Sequence, residues 1–107
     1  MPEVYATGSW RPKEGREEAF LESWCEFARW MSELDGAGTV RLTRDLRDPG
    51  RYVSFSAWAS FEQMRAWKDS DEFRPRMSRV QEHVAEFAPT ELEVVVRLDR
   101  GATVAAP

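Results

Sequence analysis

Two stripes of large apolar side chains, each spaced 4, 3, 4, 3, constrain this chain more than any other feature. The first runs Phe20, Trp24, Phe27, Met31, Leu34; the second runs Phe73, Met77, Val80, Val84, Phe87. That period keeps each set on one face of an α-helix, and such a face must be buried against something. Leu21, Cys25 and Ala28 widen the first stripe. Glu17, Glu18, Glu22, Glu26 and Arg29 fill the opposite side, with the acids toward the N-terminal half, where the helix dipole favours them. Gly36 stands where a left-handed residue ends a helix, which puts that end near Asp35. Pro75 falls in the first turn of the second helix, where no intrahelical bond is lost, and Pro89 stops it.

The rest of the chain supplies strands for these faces. Val4–Arg11 (VYATGSWR) is rich in β-formers and is halted by Pro12. Thr39–Leu46 alternates, Asp48-Pro49-Gly50 suits a type II turn, and Arg51–Ala59 (RYVSFSAWA) returns, so the pair reads as a hairpin. Ser60 and Gln63 have capping-box spacing and open a short helix ending near Lys68. Glu91–Leu98 is the last strand. The order β-α-β-β-α(α)-β is the split βαβ, ferredoxin-like α+β arrangement, with an antiparallel sheet of four strands and helices on one face. The other face would carry some of Tyr5, Thr7, Tyr52, Trp58 and Val95. It is too apolar to stay wet, so a second chain is expected to cover it.

At 107 residues the chain is one domain, placed at residues 1–99, with 100–107 (RGATVAAP) as a flexible tail. Hydrophobic residues make up 42% and charged residues 32%, a balance that argues against disorder. The net charge of −4 comes from mixed signs without a long basic run, so neither nucleic acid nor membrane is an expected partner. No apolar run nears the ~20 residues of a membrane span. The start, MPEVYATGSW, has no secretory pattern, and a cytoplasmic location is expected. One histidine (His83) and one cysteine (Cys25) make neither an internal disulfide nor a His/Cys metal set, so no metal is expected. No dinucleotide fingerprint, P-loop or triad pattern is present.

The stretch DPGRYVSFSAWASFEQMRAWKDSDEFRPRM has a hairpin turn, a strand ending in Trp, Ala-Ser at a helix start, and a short helix running into S-x-x-F. It resembles the antibiotic biosynthesis monooxygenase (ABM) family, over roughly residues 3–98. The resemblance implies a dimeric α+β barrel, two ferredoxin-like sheets face to face. It also implies one of two chemistries: cofactor-independent oxygenation of polycyclic phenols and anthrones, or oxidative haem degradation. Haem-degrading relatives carry an Asn on the first strand, a Trp on the short helix and a His ten residues later. The matching positions are about Gly8, Trp67 and Met77, so only the Trp is kept. Quinone-forming relatives use an amide one turn before the Trp and an aromatic hydroxyl six residues after it. Here these are Gln63 and Phe73, so the amide type is kept and the hydroxyl is not.

An oxygenase of this kind needs no bound cofactor, because the deprotonated substrate itself reduces O₂. It needs a proton acceptor, donors for a developing oxyanion, and a dry aromatic-lined pocket. Gln63 and Trp67, at i and i+4 on one helix face, are the candidate catalytic donors. Trp24, Phe27, Phe73 and Met77 are candidate substrate-binding residues for a small planar aromatic molecule, although they also fit plain helix–sheet core. His83, Tyr5, Tyr52 or a carboxylate are the candidate bases. Capping alone explains Gln63, core packing alone would explain Trp67, and a surface position suits His83. Cys25 reads as a buried, inert thiol. The alternatives to cofactor-independent oxygenation are a non-catalytic small-molecule-binding dimer and a haem-binding or haem-degrading protein with Met77 or His83 as ligand.

Overall fold

The computed structural model describes residues 3–104. The elements are β1 (Val4–Pro12), α1 (Glu17–Ser32), β2 (Ala37–Arg44), β3 (Tyr52–Trp58), α2 (Phe61–Asp69), α3 (Phe73–Gln81), β4 (Val84–Glu93), β5 (Arg97–Asp99) and β6 (Ala102–Val104). The first four strands form an antiparallel sheet in the order β2-β3-β1-β4, the ferredoxin-like α+β arrangement expected from the sequence. β5 and β6 form a separate two-stranded ribbon around Gly101, whose φ of 75° is left-handed. The end of the last sheet strand is therefore Glu93 rather than Leu98, and Arg97–Asp99 pairs with Ala102–Val104. The remainder of the expected tail, 105–107, lies outside the described residues.

Strict alternation decides the two faces of the sheet. On β1, Val4, Ala6, Gly8 and Trp10 point to the helices; on β3, Tyr52, Ser54, Ser56 and Trp58 do the same. Tyr52 and Trp58 thus belong to the core, at 3% and 2% exposure, and not to the outer face. Val95 lies outside the sheet, exposed between β4 and β5. Tyr5 and Thr7 are on the outer face as expected, with Val53, Phe55 and Ala57 beside them. The first stripe forms α1 as read, burying Phe20, Trp24, Phe27 and Met31. Cys25, one position past Trp24, is swung round the helix to solvent, so it is exposed rather than buried.

The second stripe spans two elements. α3 ends at Gln81, and Val84 and Phe87 belong to β4. β4 skips one residue at its start: Pro12 faces Val84, Arg11 faces Glu86 and Trp10 faces Phe87. This bulge leaves Val84 and Phe87 on the same face three residues apart, which copies a helical interval. Pro89 is no helix stop; it lies within β4 opposite Gly8, and β4 is an edge strand, where a missing N–H is tolerated.

The two turns also differ from the reading above. Gly50 is not left-handed, so Asp48–Arg51, closed by Arg51 N–H to Asp48 C=O at 2.8 Å, is not a type II turn. Gly36 has φ 85° and sits third in the turn Leu34–Ala37, where Ala37 N–H donates to Leu34 C=O at 3.1 Å. That is the type II position, and α1 has already ended at Ser32.

Candidate functional site

The middle of the helix-facing sheet surface is built from small residues. Ala6, Gly8, Ser54 and Ser56 occupy four neighbouring positions, while Trp10 and Tyr52 stand at one end and Trp58 at the other. Helices that rest on the large residues cannot also touch the small ones. A cleft of about 250 Å³ is left between sheet and helices. Its floor includes Ala6, Gly8, Ser54 and Ser56; Trp24, Phe27 and Met31 of α1, Trp67 of α2, Phe73 and Met77 of α3, and Phe87 of β4 wall it.

The floor hydroxyls are committed. Trp10 Nε1–H donates to Ser54 Oγ at 2.9 Å, and Trp58 Nε1–H donates to Ser56 Oγ at 3.2 Å. The two hydroxyls in turn donate to Gly8 C=O and Ala6 C=O across the strand pair. Gly8 is required by this arrangement. A Cβ there would lie 2.8 Å from Trp10 Nε1 and 2.9 Å from Phe87, whose ring stacks on Trp10 at 4.1 Å.

Trp67 is differently placed. Its ring is stacked on Trp58 at 4.9 Å and is met edge-on by Phe73 at 5.1 Å. Its indole N–H is buried and, among the described residues, has no hydrogen-bond partner. Buried polar groups are paired in the great majority of cases, so an orphan in a cleft wall requires a reason.

The candidate residues are only partly assembled. Trp24, Phe27, Phe73, Met77 and Trp67 all border the cleft. Gln63 does not: its backbone N–H donates to Ser60 Oγ at 3.1 Å, Ser60 Oγ–H donates to Gln63 Oε1 at 3.1 Å, and the side chain lies over Gly36. None of the candidate bases borders the cleft. His83 lies beyond the end of α3, with Nδ1 3.1 Å from Arg16 Nη1. Tyr5 donates to Glu3 on the outer face; that bond, then burial, raises its pKa. Burial chiefly raises the pKa of Tyr52, which also accepts from Arg44 at 2.9 Å. Among the described residues, the cleft lining holds no carboxylate, histidine or tyrosine, and its one titratable side chain is Lys68.

Sequence reading missed the floor and Lys68. The floor had a signal, small residues at alternate positions of two strands, but the strand faces must be known to use it. Lys68 gave none beyond helical position.

A haem fits poorly. Of the three positions that resemblance to haem-degrading relatives marks, Gly8 admits no side chain without displacing Trp10 or Phe87. Met77 is half-buried in the wall and comes with no His/Cys/Asp/Glu cluster among the described residues. No described helix is long and apolar enough to cross a membrane.

Fold and site together define an α+β domain with an aromatic-walled cleft between its helices and an antiparallel sheet. The antibiotic biosynthesis monooxygenase family profile matches residues 4–79, and the chain belongs to that family. No curated protein matches it. Among solved structures, it resembles a Bordetella bronchiseptica protein assigned to the antibiotic biosynthesis monooxygenases (21% identity, 86% of this chain and 96% of that one, TM-score 0.76). It also resembles SnoaB, a cofactor-independent oxygenase from Streptomyces nogalater (15% identity, 86% and 92% covered, TM-score 0.77). A Deinococcus radiodurans protein of the same assignment gives 14% identity, 90% and 96% coverage and a TM-score of 0.79. At such identities the likeness is one of fold.

Proposed function

We propose that this protein binds a planar aromatic small molecule in the cleft and oxygenates it without a cofactor, the substrate being a phenol or anthrone of polyketide type. The unpartnered Trp67 N–H in an otherwise apolar, aromatic wall is the observation that carries this reading. A ligand oxygen that reached this buried donor, by displacing the side chains that cover it, would satisfy it, and charge growing on the oxygen during reaction would strengthen the bond. Family membership and the likeness to SnoaB support the same chemistry. For an anthrone, loss of a C–H proton gives an electron-rich enolate. One electron passes to O₂, the radical pair joins as a C–O bond, and the protonated peroxide loses water to leave C=O. The balance is CH₂ plus O₂ giving C=O plus H₂O. Homodimerisation through the outer face belongs to this reading, since Phe55 and Leu92 are 39% and 48% exposed there.

The absence of a base from the described lining favours a second reading, a non-catalytic binding module. Incubation with an anthrone, aerobically and anaerobically, separates the two. Oxygen-dependent quinone formation above the buffer rate, lowered in Trp67→Phe, is expected. Quinone forming no faster than in buffer leaves only binding. A haem titration with no Soret shift is expected in either case.

A further inference from the structure

Among the described residues, the one titratable side chain of the cleft lining stands between that lining and a surface ion pair. Lys68 sits next to Trp67 on α2, and its Nζ lies 5.9 Å from the Trp67 ring centroid. Its side chain is 19% exposed and lies at the edge of the cleft. Lys68, Phe73, Met77 and Gln81 border both the cleft and a polar hollow outside it that also holds Asp69, Asp71 and Arg74. They are the partition between an apolar interior and water. The charged groups that face Lys68 are few. Glu91 Oε2 of β4 is 3.0 Å from Nζ, and Glu91 stands opposite Ala6 of the cleft floor. Arg65 of α2 reaches the same carboxylate at 3.9 Å and Asp69 at 3.6 Å.

We propose that Lys68 is the anion-holding residue of the cleft: its ammonium group pairs with the ionised oxygen of a phenolic or enolic ligand, so the cleft selects planar aromatics as their anions. The proposal rests on the reading of the cleft as a planar-aromatic site. It follows from what the described lining lacks and holds. No side chain there is suited to removing a proton, so a ligand that must ionise has to ionise to solvent, and the protein's contribution is to stabilise the product of that ionisation. A cation at the edge of the cleft does this, and an opposite charge within about 4–6 Å moves a titration by about one to three pH units. Glu91 opposes the effect, because it neutralises Lys68 in part; Arg65 can hold Glu91 when a ligand takes the ammonium group.

The alternative role for Lys68 is a tie between α2 and β4 through Glu91. In that case removing either partner has the same consequence. In the proposal the two removals act in opposite directions, and this makes the test. The probes are alizarin (1,2-dihydroxyanthraquinone), whose anion has its own visible band, and 9,10-anthraquinone, the same skeleton without an acidic group. Binding is followed by quenching of tryptophan fluorescence, and ionisation of bound alizarin by its visible spectrum against pH. With the wild-type protein, the midpoint of bound alizarin should fall about one pH unit below that of free alizarin, a tenfold gain for the anion. Lys68→Met should abolish the shift; Lys68→Arg should keep it; Glu91→Gln should deepen it. Intact anthraquinone binding with an unshifted wild-type midpoint overturns the role of Lys68 alone. So does a shift that survives Lys68→Met, or one that Lys68→Met and Glu91→Gln both reduce. If neither probe binds the wild-type protein, the cleft is not a planar-aromatic site and the proposal falls with that reading.

Discussion

Trp58 and Trp67 stack on each other, yet the same substitution should have different consequences at the two positions. Both are nearly fully buried, at 2% and 6% exposure. Replacing indole by phenyl removes about two methylene equivalents of buried apolar surface, worth about 1.6 kcal/mol at about 0.8 per CH₂. At Trp58 it also removes the donor to Ser56 Oγ, a buried hydrogen bond worth about 1 kcal/mol. Trp58→Phe should therefore cost about 2–3 kcal/mol. At Trp67 the deleted N–H has no partner, and a buried unsatisfied donor carries a penalty of about 1–3 kcal/mol that the substitution relieves. Trp67→Phe should then fall between about 0.6 kcal/mol less stable and about 1.4 kcal/mol more stable than the wild type.

Urea unfolding followed by far-ultraviolet circular dichroism measures the difference directly, provided the m-values agree. A gap of about 2–4 kcal/mol is expected, with Trp58→Phe the less stable. If Trp67→Phe is as costly as Trp58→Phe, the Trp67 N–H is hydrogen-bonded in the free protein, and the observation that carries the functional proposal is gone. The comparison is internal: both are tryptophans, both are nearly fully buried and each stacks on the other, while Trp67 also meets Phe73 edge-on and borders the cleft.

Other consequences are simpler. Gly8→Ala drives a Cβ into Trp10, Phe87 and Ser54 and should destabilise by about 1–3 kcal/mol while weakening anthraquinone binding; unchanged binding would show that the floor is not where the ligand lies. Ser60→Ala removes the α2 cap and should cost about 1 kcal/mol without altering ligand affinity, and Gln63→Ala should likewise spare binding; a tenfold affinity loss in Gln63→Ala would return that amide to the site. Arg11 beside Asp48, and the backbone N–H of Arg47 on Asp45, hold both carboxyls below their ordinary range. A depressed carboxylate contributes stability that is complete above its unfolded value of about 3.9 and is lost as pH falls through the folded one. Asp48→Asn should thus flatten the acid limb of the urea midpoint below about pH 4, and an unaltered limb would show that the pair adds nothing.

Much of the fold could be read from the chain because periodicity and burial agree in most of it. The α1 stripe, the alternation of β1 and β3, and the Ser60 cap are local patterns that packing confirms. The failure at Val84 and Phe87 has a specific origin. A bulge inserts one residue into an edge strand, and two inward side chains then stand three apart, as they would on a helix. Pro89 reinforced the error, because a proline is compatible with both a helix stop and an edge strand. Nothing local distinguishes them; the pairing of β4 with β1 does, and it joins residues about eighty positions apart.

The site was legible in its walls and not in its floor. Walls are large aromatic residues, visible as a stripe whether they line a cleft or fill a core, so their sequence signal cannot separate the two outcomes. The separation is made by Ala6, Gly8, Ser54 and Ser56, small residues whose importance lies in what they fail to fill. Their signal appears only after β1 and β3 are paired in register. The pairing also sets the chemistry apart from the family pattern. Gln63, the amide expected beside Trp67, is drawn back over Gly36 by Ser60, while Lys68, one residue beyond Trp67, borders the cleft. On a nine-residue helix those two positions lie on different sides. A donor set built from Trp67 and Lys68 differs from one built from Trp67 and an amide in a way that can be measured. A cation favours an ionised ligand, so its contribution weakens as pH falls through the ligand's own titration, whereas an amide donor binds neutral and ionised oxygen at any pH. The pH dependence of ligand affinity, compared between Lys68→Met and Gln63→Ala, therefore decides which of the two groups this chain uses.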